Sequence, residues 1–160
     1  MILPAQTIRA LCSPPSRPGG IPSLIYPFSE RAKLYGMTYG LGPAGYDARI
    51  DQDFTLWPKQ FRLASTMERF CLPRDLTFKV EDKSSLARRG LSLFNTTAEP
   101  GWEGFLTLEL VNHSWRPIRF KRGMPIAQIV FHRLEAETDA PYMGRYQFQE
   151  AGPQAARLEL

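Results

Sequence analysis

Three stretches of the chain hold side chains that could do chemistry. The first is "EPGWEGFLTLELVN", residues 99–112. Its period-two pattern reads as a strand, with Phe105, Thr107, Glu109 and Val111 on one face and Leu106, Leu108 and Leu110 on the other. The leucine face is a core face. Glu109, in the middle of the opposite face, has two readings. It is either a charge shown to water, the commoner case for a single strand glutamate, or a carboxylate held on a rigid element for acid–base chemistry.

The second is "EDKSSLARRG", residues 81–90. It groups the ammonium of Lys83 with the hydroxyls of Ser84 and Ser85 at a turn, and places Arg88 at helical spacing from Ser84. Turn amides, hydroxyls and a cation together can cradle a phosphate. Taken alone, the set reads first as a charged surface turn with an N-cap serine. The third is "YMGRYQFQ", residues 142–149, with Arg145 and Gln149 four apart and aromatic rings between them. Such a segment can fold over a nucleotide and order on binding, or dock on its own subunit or a neighbour. A weaker candidate is "GPAGYDARI", residues 42–50. Asp47 there could orient Arg49 or a substrate water, and by default caps the glycine turn.

What the chain lacks narrows the chemistry. Its two histidines, His113 and His132, lie in neither an HxE nor a Cys-x-x-Cys context. A zinc hydrolase or zinc deaminase needs three clustered ligands and a nearby acid, so hydrolysis here is expected to proceed without zinc. Two cysteines, Cys12 and Cys71, make no disulfide framework and point to a reducing cytoplasm. No apolar run is long enough to span a membrane, and the first residues lack the pattern of a signal peptide. A net charge of +4 is compatible with a polyanionic ligand without specifying one.

These candidates need elements to position them. A chain of 160 residues is most economically one domain with a core of its own. Fourteen prolines and twelve glycines suit short strands and turns better than helices. The spacing of Leu3, Ile8, Leu11 and Cys12 predicts one short helix over residues 3–12, followed by a Pro-rich surface loop over residues 13–23. From there, short β-like runs separated by turns predict an all-β sandwich or barrel-like fold. "SSLARRG" interrupts them as one helical turn. The tail from residue 139 carries little core pattern and reads by default as a flexible arm.

In their order along the chain, "MILPAQTIRAL", "AGYDARI", "FRLASTMERFCLPRDL", "KSSLARRGL", "EPGWEGFLTLELVN", "GMPIAQIVFHRLE" and "PYMGRYQFQEAGP" resemble the dCTP deaminase family, within the trimeric dUTPase-like superfamily. They cover most of the chain, and "SSLAR" with "PGWEG…LTLE" at this spacing is the specific part. The resemblance implies an all-β fold, a dUTPase-like distorted jelly roll (β-clip) with one or two short helices. Residues 1–160 would form a single domain, with about 140–160 as a C-terminal arm closing over the nucleotide. It implies a cytoplasmic homotrimer with active sites at subunit interfaces and no nucleic-acid or membrane partner. The reaction would be zinc-independent hydrolytic deamination of dCTP to dUTP and ammonia, supplying dUTP and dUMP for thymidylate synthesis. Mg²⁺ would come with the triphosphate, without direct protein ligands, and dTTP is a candidate inhibitor.

By the same resemblance Glu109 is the general base. Ser84 and Arg88 would hold water, base edge and carboxylate in register, and Arg88 beside Glu109 would keep it ionised. Lys83, Ser84, Ser85, Arg145 and Gln149 would bind the triphosphate. Thr96, Thr97, Leu106 and Thr107 would read the base, and Trp102 would pack on the deoxyribose. The chain departs from the family pattern at Lys83, where many members carry Arg, at Glu99, where others carry Asp, and at Thr97, often a smaller or cyclic residue. The alternative is a dUTPase, or a bifunctional enzyme releasing dUMP and pyrophosphate. Glu99 and Trp102 stand where a dUTPase has Asp and Tyr, and the tail lacks the dUTPase Gly-rich pattern. A catalytically silent nucleotide-binding trimer is a distant third, since a pure binder needs no Ser84, Arg88 and Glu109 together.

Overall fold

The alternation along residues 103–112 is what the backbone adopts. In the computed structural model, which describes residues 1–13, 16, 17 and 20–158, half-buried and buried positions alternate without interruption from Glu103 to Asn112. In chain order the elements are α1 (Ala5–Cys12), β1 (Ser16–Arg17), β2 (Ile21–Pro22), β3 (Ile25–Tyr26), β4 (Ala32–Leu34), β5 (Met37–Gly42), β6 (Gly45–Arg49) and β7 (Phe54–Leu56). They continue as β8 (Phe61–Cys71), β9 (Leu76–Asp82), α2 (Ser84–Ala87), β10 (Leu91–Leu93), β11 (Thr97–Ala98), β12 (Glu103–Asn112), β13 (Ile118–Phe120) and β14 (Pro125–Arg133).

Among the described residues two antiparallel sheets carry the fold. One runs β10-β12-β8-β3 and the other β11-β9-β14-β6-β5-β4, with β1/β2 and β13/β7 as small ribbons. The leucine face of β12 supplies Leu106, Leu108 and Leu110 to the core between the sheets, alongside Phe70 of β8 and Phe131 of β14. Phe78 of β9 sits at its centre, with ring centroids 5.2 Å from Phe70, 5.7 Å from Phe131 and 6.0 Å from Trp102. The last two contacts are edge-on, the arrangement that ring quadrupoles favour.

The two helices are short, as expected. α1 begins at Ala5 with Pro4 as its cap, two residues later than the spacing predicts. It ends where Ser13, which precedes a proline, turns extended at φ −129° and ψ 128°. Ile8 and Cys12, one turn apart, are its buried residues. The single turn of α2 closes at Gly90, whose φ of +87° favours glycine, and a Cβ there would stand 2.8 Å from that of Ser114. The expected loop over residues 13–23 carries the β1/β2 ribbon, while residues 14, 15, 18 and 19 lie outside the described residues.

The tail differs from the flexible arm that its composition suggests. β10 pairs only with the last part of β12, so the first half of β12 has an open edge on that side. The tail fills it. Phe148 N–H donates to Glu103 O at 2.8 Å, Phe105 N–H donates to Gln149 O at 2.9 Å, and Gly104 and Gln149 form a parallel bridge. Gly104 permits the approach, because a Cβ there would lie 2.7 Å from Gln149 N. An unpaired strand edge is a template for another backbone, and here the chain's own tail takes it.

Candidate active site

Glu109 projects from β12 opposite Leu63 of β8 and lines a cavity of about 660 Å³. Its side chain is half-buried, and Oε2 is shielded from solvent with no hydrogen-bond partner. Burial pushes the carboxyl pKa up, since desolvation penalises the charged form. A dry carboxylate oxygen with nothing to bond is costly for stability and useful for accepting a proton.

Six other expected site residues line the same cavity: Thr96, Thr97, Trp102, Leu106, Thr107 and Gln149. Thr97 is held by pairing of β11 with Lys79 of β9, and Thr96 O accepts from Val80 N–H at 2.9 Å. Trp102 is buried, edge-on to Phe78, and its indole Nε1–H donates to Tyr146 O at 2.8 Å. Thr107 Oγ1 accepts from the Gln149 side-chain amide and from Gln154 N–H at 3.1 Å. Leu106 lines the cavity with its side chain. Its N–H donates inward to Thr66 Oγ1 at 3.1 Å, so that donor does not read a ligand.

The remaining expected residues are elsewhere. Lys83 and Ser84 line a second cavity of about 230 Å³ with Arg31, Thr38, Asp47 and Gln128, while Ser85 and Arg88 are exposed. Within the chain Arg88 therefore does not hold Glu109 ionised. It neither lines the Glu109 cavity nor contributes to the shift of that carboxyl. Lys83 is buried, and its Nζ donates to Asp47 Oδ2 at 2.8 Å, where Thr38 Oγ1 donates as well at 3.3 Å. Asp47 thus neither orients Arg49 nor caps its turn. Arg49 goes to Glu68, through Nε to Oε1 at 2.7 Å and through its backbone N–H to Oε2 at 2.9 Å. In the tail, Gln149 is buried on Thr107 while Arg145 faces outward, donating to Arg157 O at 2.8 Å.

The structure adds wall residues that sequence reasoning did not assign to the site. Phe61 and Leu63 come from β8, directly across the ladder from Val111 and Glu109, so cross-strand pairing was the signal for them. Tyr142 and Tyr146 belong to the aromatic tail segment and bracket Arg145 in sequence. Gln154, Ala155 and Ala156 line the cavity with no local pattern to announce them. Glu99 brings a second carboxylate to the wall. Among the described residues no group of three or more His, Cys, Asp or Glu side chains comes together as a metal cage. No helix among them is long and apolar enough to cross a membrane.

A sequence model of the family described as dCTP deaminase-like matches residues 41–134. A protein of Persephonella marina named "dCTP deaminase, dUMP-forming" is 44% identical over 69% of this chain and 61% of its own length. One of Aquifex aeolicus with the same name is 46% identical over 63% and 57%. A "dCTP deaminase" of Pyrococcus horikoshii is 37% identical over 78% of this chain and 84% of its own. The chain therefore spans less than two thirds of the first two relatives. Among solved structures, the native dUTPase of EIAV matches with a TM-score of 0.55 at 18% identity, over 74% of this chain and 94% of that one. That likeness is one of fold, and the distorted jelly roll expected from the sequence is the fold observed.

Proposed function

The chain belongs to the dCTP deaminase-like family, and from that premise we propose that it hydrolyses the exocyclic amine of dCTP, giving dUTP and ammonia. The observation that carries this reading is the unpartnered Glu109 Oε2 on the wall of a cavity of about 660 Å³, a volume suited to a nucleotide-sized ligand. Glu109 takes one proton from the water that adds to C4 of cytosine and passes it to ring N3, then takes the remaining hydroxyl proton and passes it to the amine as the C4=O forms. The C4–N bond then breaks and ammonia leaves. The raised carboxyl pKa makes Glu109 a stronger base than an exposed glutamate. Thr96, Thr97, Leu106 and Thr107 surround the base, and Trp102 bounds the sugar.

Lys83, Ser84, Ser85 and Arg88 do not reach the Glu109 cavity within one chain. The reading therefore takes them from a neighbouring copy, in a cytoplasmic homotrimer with sites between subunits. There Ser84 and Arg88 would hold water and carboxylate in register, and Lys83, Ser84 and Ser85 would meet the triphosphate with Arg145 and Gln149. Mg²⁺ enters with the triphosphate and neutralises its oxygens. The chemistry uses no zinc, and dTTP is proposed as an inhibitor. On nucleotide binding the tail exchanges its bonds to Thr107 for bonds to the ligand.

A second reading is favoured by the names of the Persephonella marina and Aquifex aeolicus relatives, both dUMP-forming. In it dUTP is hydrolysed onward to dUMP and pyrophosphate, with Glu99 as the second carboxylate at the cavity wall. Incubation with dCTP and Mg²⁺ followed by product separation decides. dUTP with ammonia supports the deaminase, and dUMP with pyrophosphate and ammonia supports the bifunctional enzyme. Hydrolysis of dUTP without turnover of dCTP contradicts both.

A further inference from the structure

The ladder between β8 and β12 slips beside the cavity. Phe105 pairs with Arg69 and Thr107 pairs with Ser65, so Leu106 alone faces Thr66, Met67 and Glu68. Two extra residues are an even number, and this matters. In β8 it leaves Ser65 and Leu63, the partners of Thr107 and Glu109, on the face that Arg69 occupies, whereas a single extra residue would turn that strand's side chains over. At such a slip the ladder cannot satisfy every backbone group, and a buried N–H must find another acceptor. Thr66, fully buried, supplies it. Its Oγ1 accepts from Leu106 N–H at 3.1 Å and donates to Glu68 O at 2.8 Å.

The three-residue excursion is anchored on its far side as well. Thr66 bridges Ile50, the Glu68 carboxylate accepts from Arg49 N–H at 2.9 Å and from Arg49 Nε at 2.7 Å, and Asp51 N–H donates to Ser65 O at 2.9 Å. The excursion thus ties one sheet to the other, and the Thr66 hydroxyl bonds it to β12 beside the cavity. That bond lands on Leu106, one residue before Thr107 and three before Glu109.

We propose that Thr66 is a positioning residue for deamination: its hydroxyl pins Leu106 at the slip in the ladder and so sets the aim of Thr107 and Glu109 across the cavity. Thr66 is not on the cavity wall and acts through β12. The inference rests on the deaminase reading above. If the hydroxyl is removed, the Leu106 N–H is left dry, and β12 shifts to bring water or a new register to it, carrying Glu109 out of alignment.

The test is steady-state ammonia release from dCTP by the full chain, as wild type, Thr66→Val, Thr66→Ser and Ile118→Val, below each protein's unfolding transition. Ile118 is buried in β13, away from the cavity, and controls for loss of stability alone. The expected result is a kcat lowered about tenfold or more in Thr66→Val with KM within about threefold. The acid limb of its kcat–pH profile moves to lower pH as Glu109 swings toward water. Thr66→Ser keeps the hydroxyl and retains kcat within about twofold, as does Ile118→Val. A Thr66→Val kcat within about twofold of wild type overturns the role. So does a Thr66→Ser or Ile118→Val variant that loses as much as Thr66→Val. Should Thr66→Val not fold, Thr66→Ala, which also removes the hydroxyl, takes its place and is judged by the same kcat and acid-limb criteria. A wild type that releases no ammonia from dCTP overturns the deaminase reading itself, and is seen before any variant is compared.

Discussion

Glu68 and Glu109 stand on adjacent strands, and burial raises the pKa of both, yet they are built for opposite ends. Glu68 is 0% exposed, and both of its oxygens are bonded by Arg49. Glu109 is half-buried and its Oε2 has no partner. Burial alone does not mark a carboxylate as chemical, since structural ion pairs perturb pKa as well. The mark is burial without satisfaction beside a cavity. One glutamate joins two sheets, and the other keeps an oxygen in reserve.

Removing each carboxylate should separate the two roles. Glu68→Ala leaves the Arg49 guanidinium without its buried partner, and should lower stability by about 3–5 kcal/mol, read as a reduced denaturant midpoint. A loss below about 1 kcal/mol would mean that solvent reaches Arg49 and that the pair is not structural in the way argued.

In an Arg88→Ala background, where no neighbouring guanidinium can reach the carboxylate, Glu109→Gln should do the reverse, stabilising the fold by up to about 1 kcal/mol at neutral pH, because an unsatisfied charge is replaced by a neutral amide. The sign follows from the direction of the shift. A carboxyl whose folded pKa is raised penalises the folded state wherever it is ionised. The advantage of the variant is therefore full above the folded pKa, and disappears as pH falls through it toward the ordinary value of 4.5. Thermal melts of both proteins between neutral and acid pH check this, and a gain that grows on acidification contradicts it.

The most local effect concerns the tail. Trp102→Phe removes the indole donor to Tyr146 O, and should weaken docking by about 1 kcal/mol, seen as faster proteolysis in residues 142–158 with little change in global stability.

These two glutamates also show what the sequence could tell. Period two placed Glu109 opposite the leucines of β12 because a strand's facing is local, and the structure keeps that facing. Local pattern could not say that one oxygen of Glu109 would be shielded without a partner, in a cavity shared with Leu63 across the ladder and with tail residues of 142–156. Nor could it pair charges over distance. Arg49 meets Glu68, 19 residues away, and Lys83 meets Asp47, 36 residues away, separations that no local pattern links. Between the tail's two readings, a flexible arm or a segment docked on its own subunit, local pattern could not choose. Its composition lacks a core pattern, and it is ordered by a strand edge left open in β12. The resemblance carried the site residues that local chemistry left ambiguous. The cavity gathers Glu109 with Thr96, Thr97, Trp102, Leu106, Thr107 and Gln149 and leaves Lys83, Ser84 and Arg88 at other places on the chain.

The central claim is that Glu109 is the base, and it is tested most directly by ammonia release from dCTP with Mg²⁺ in wild type and Glu109→Gln. The wild type should turn over dCTP, and the variant should bind it while its kcat falls by about 10²–10⁴-fold. A folded variant with near-normal turnover would contradict the account.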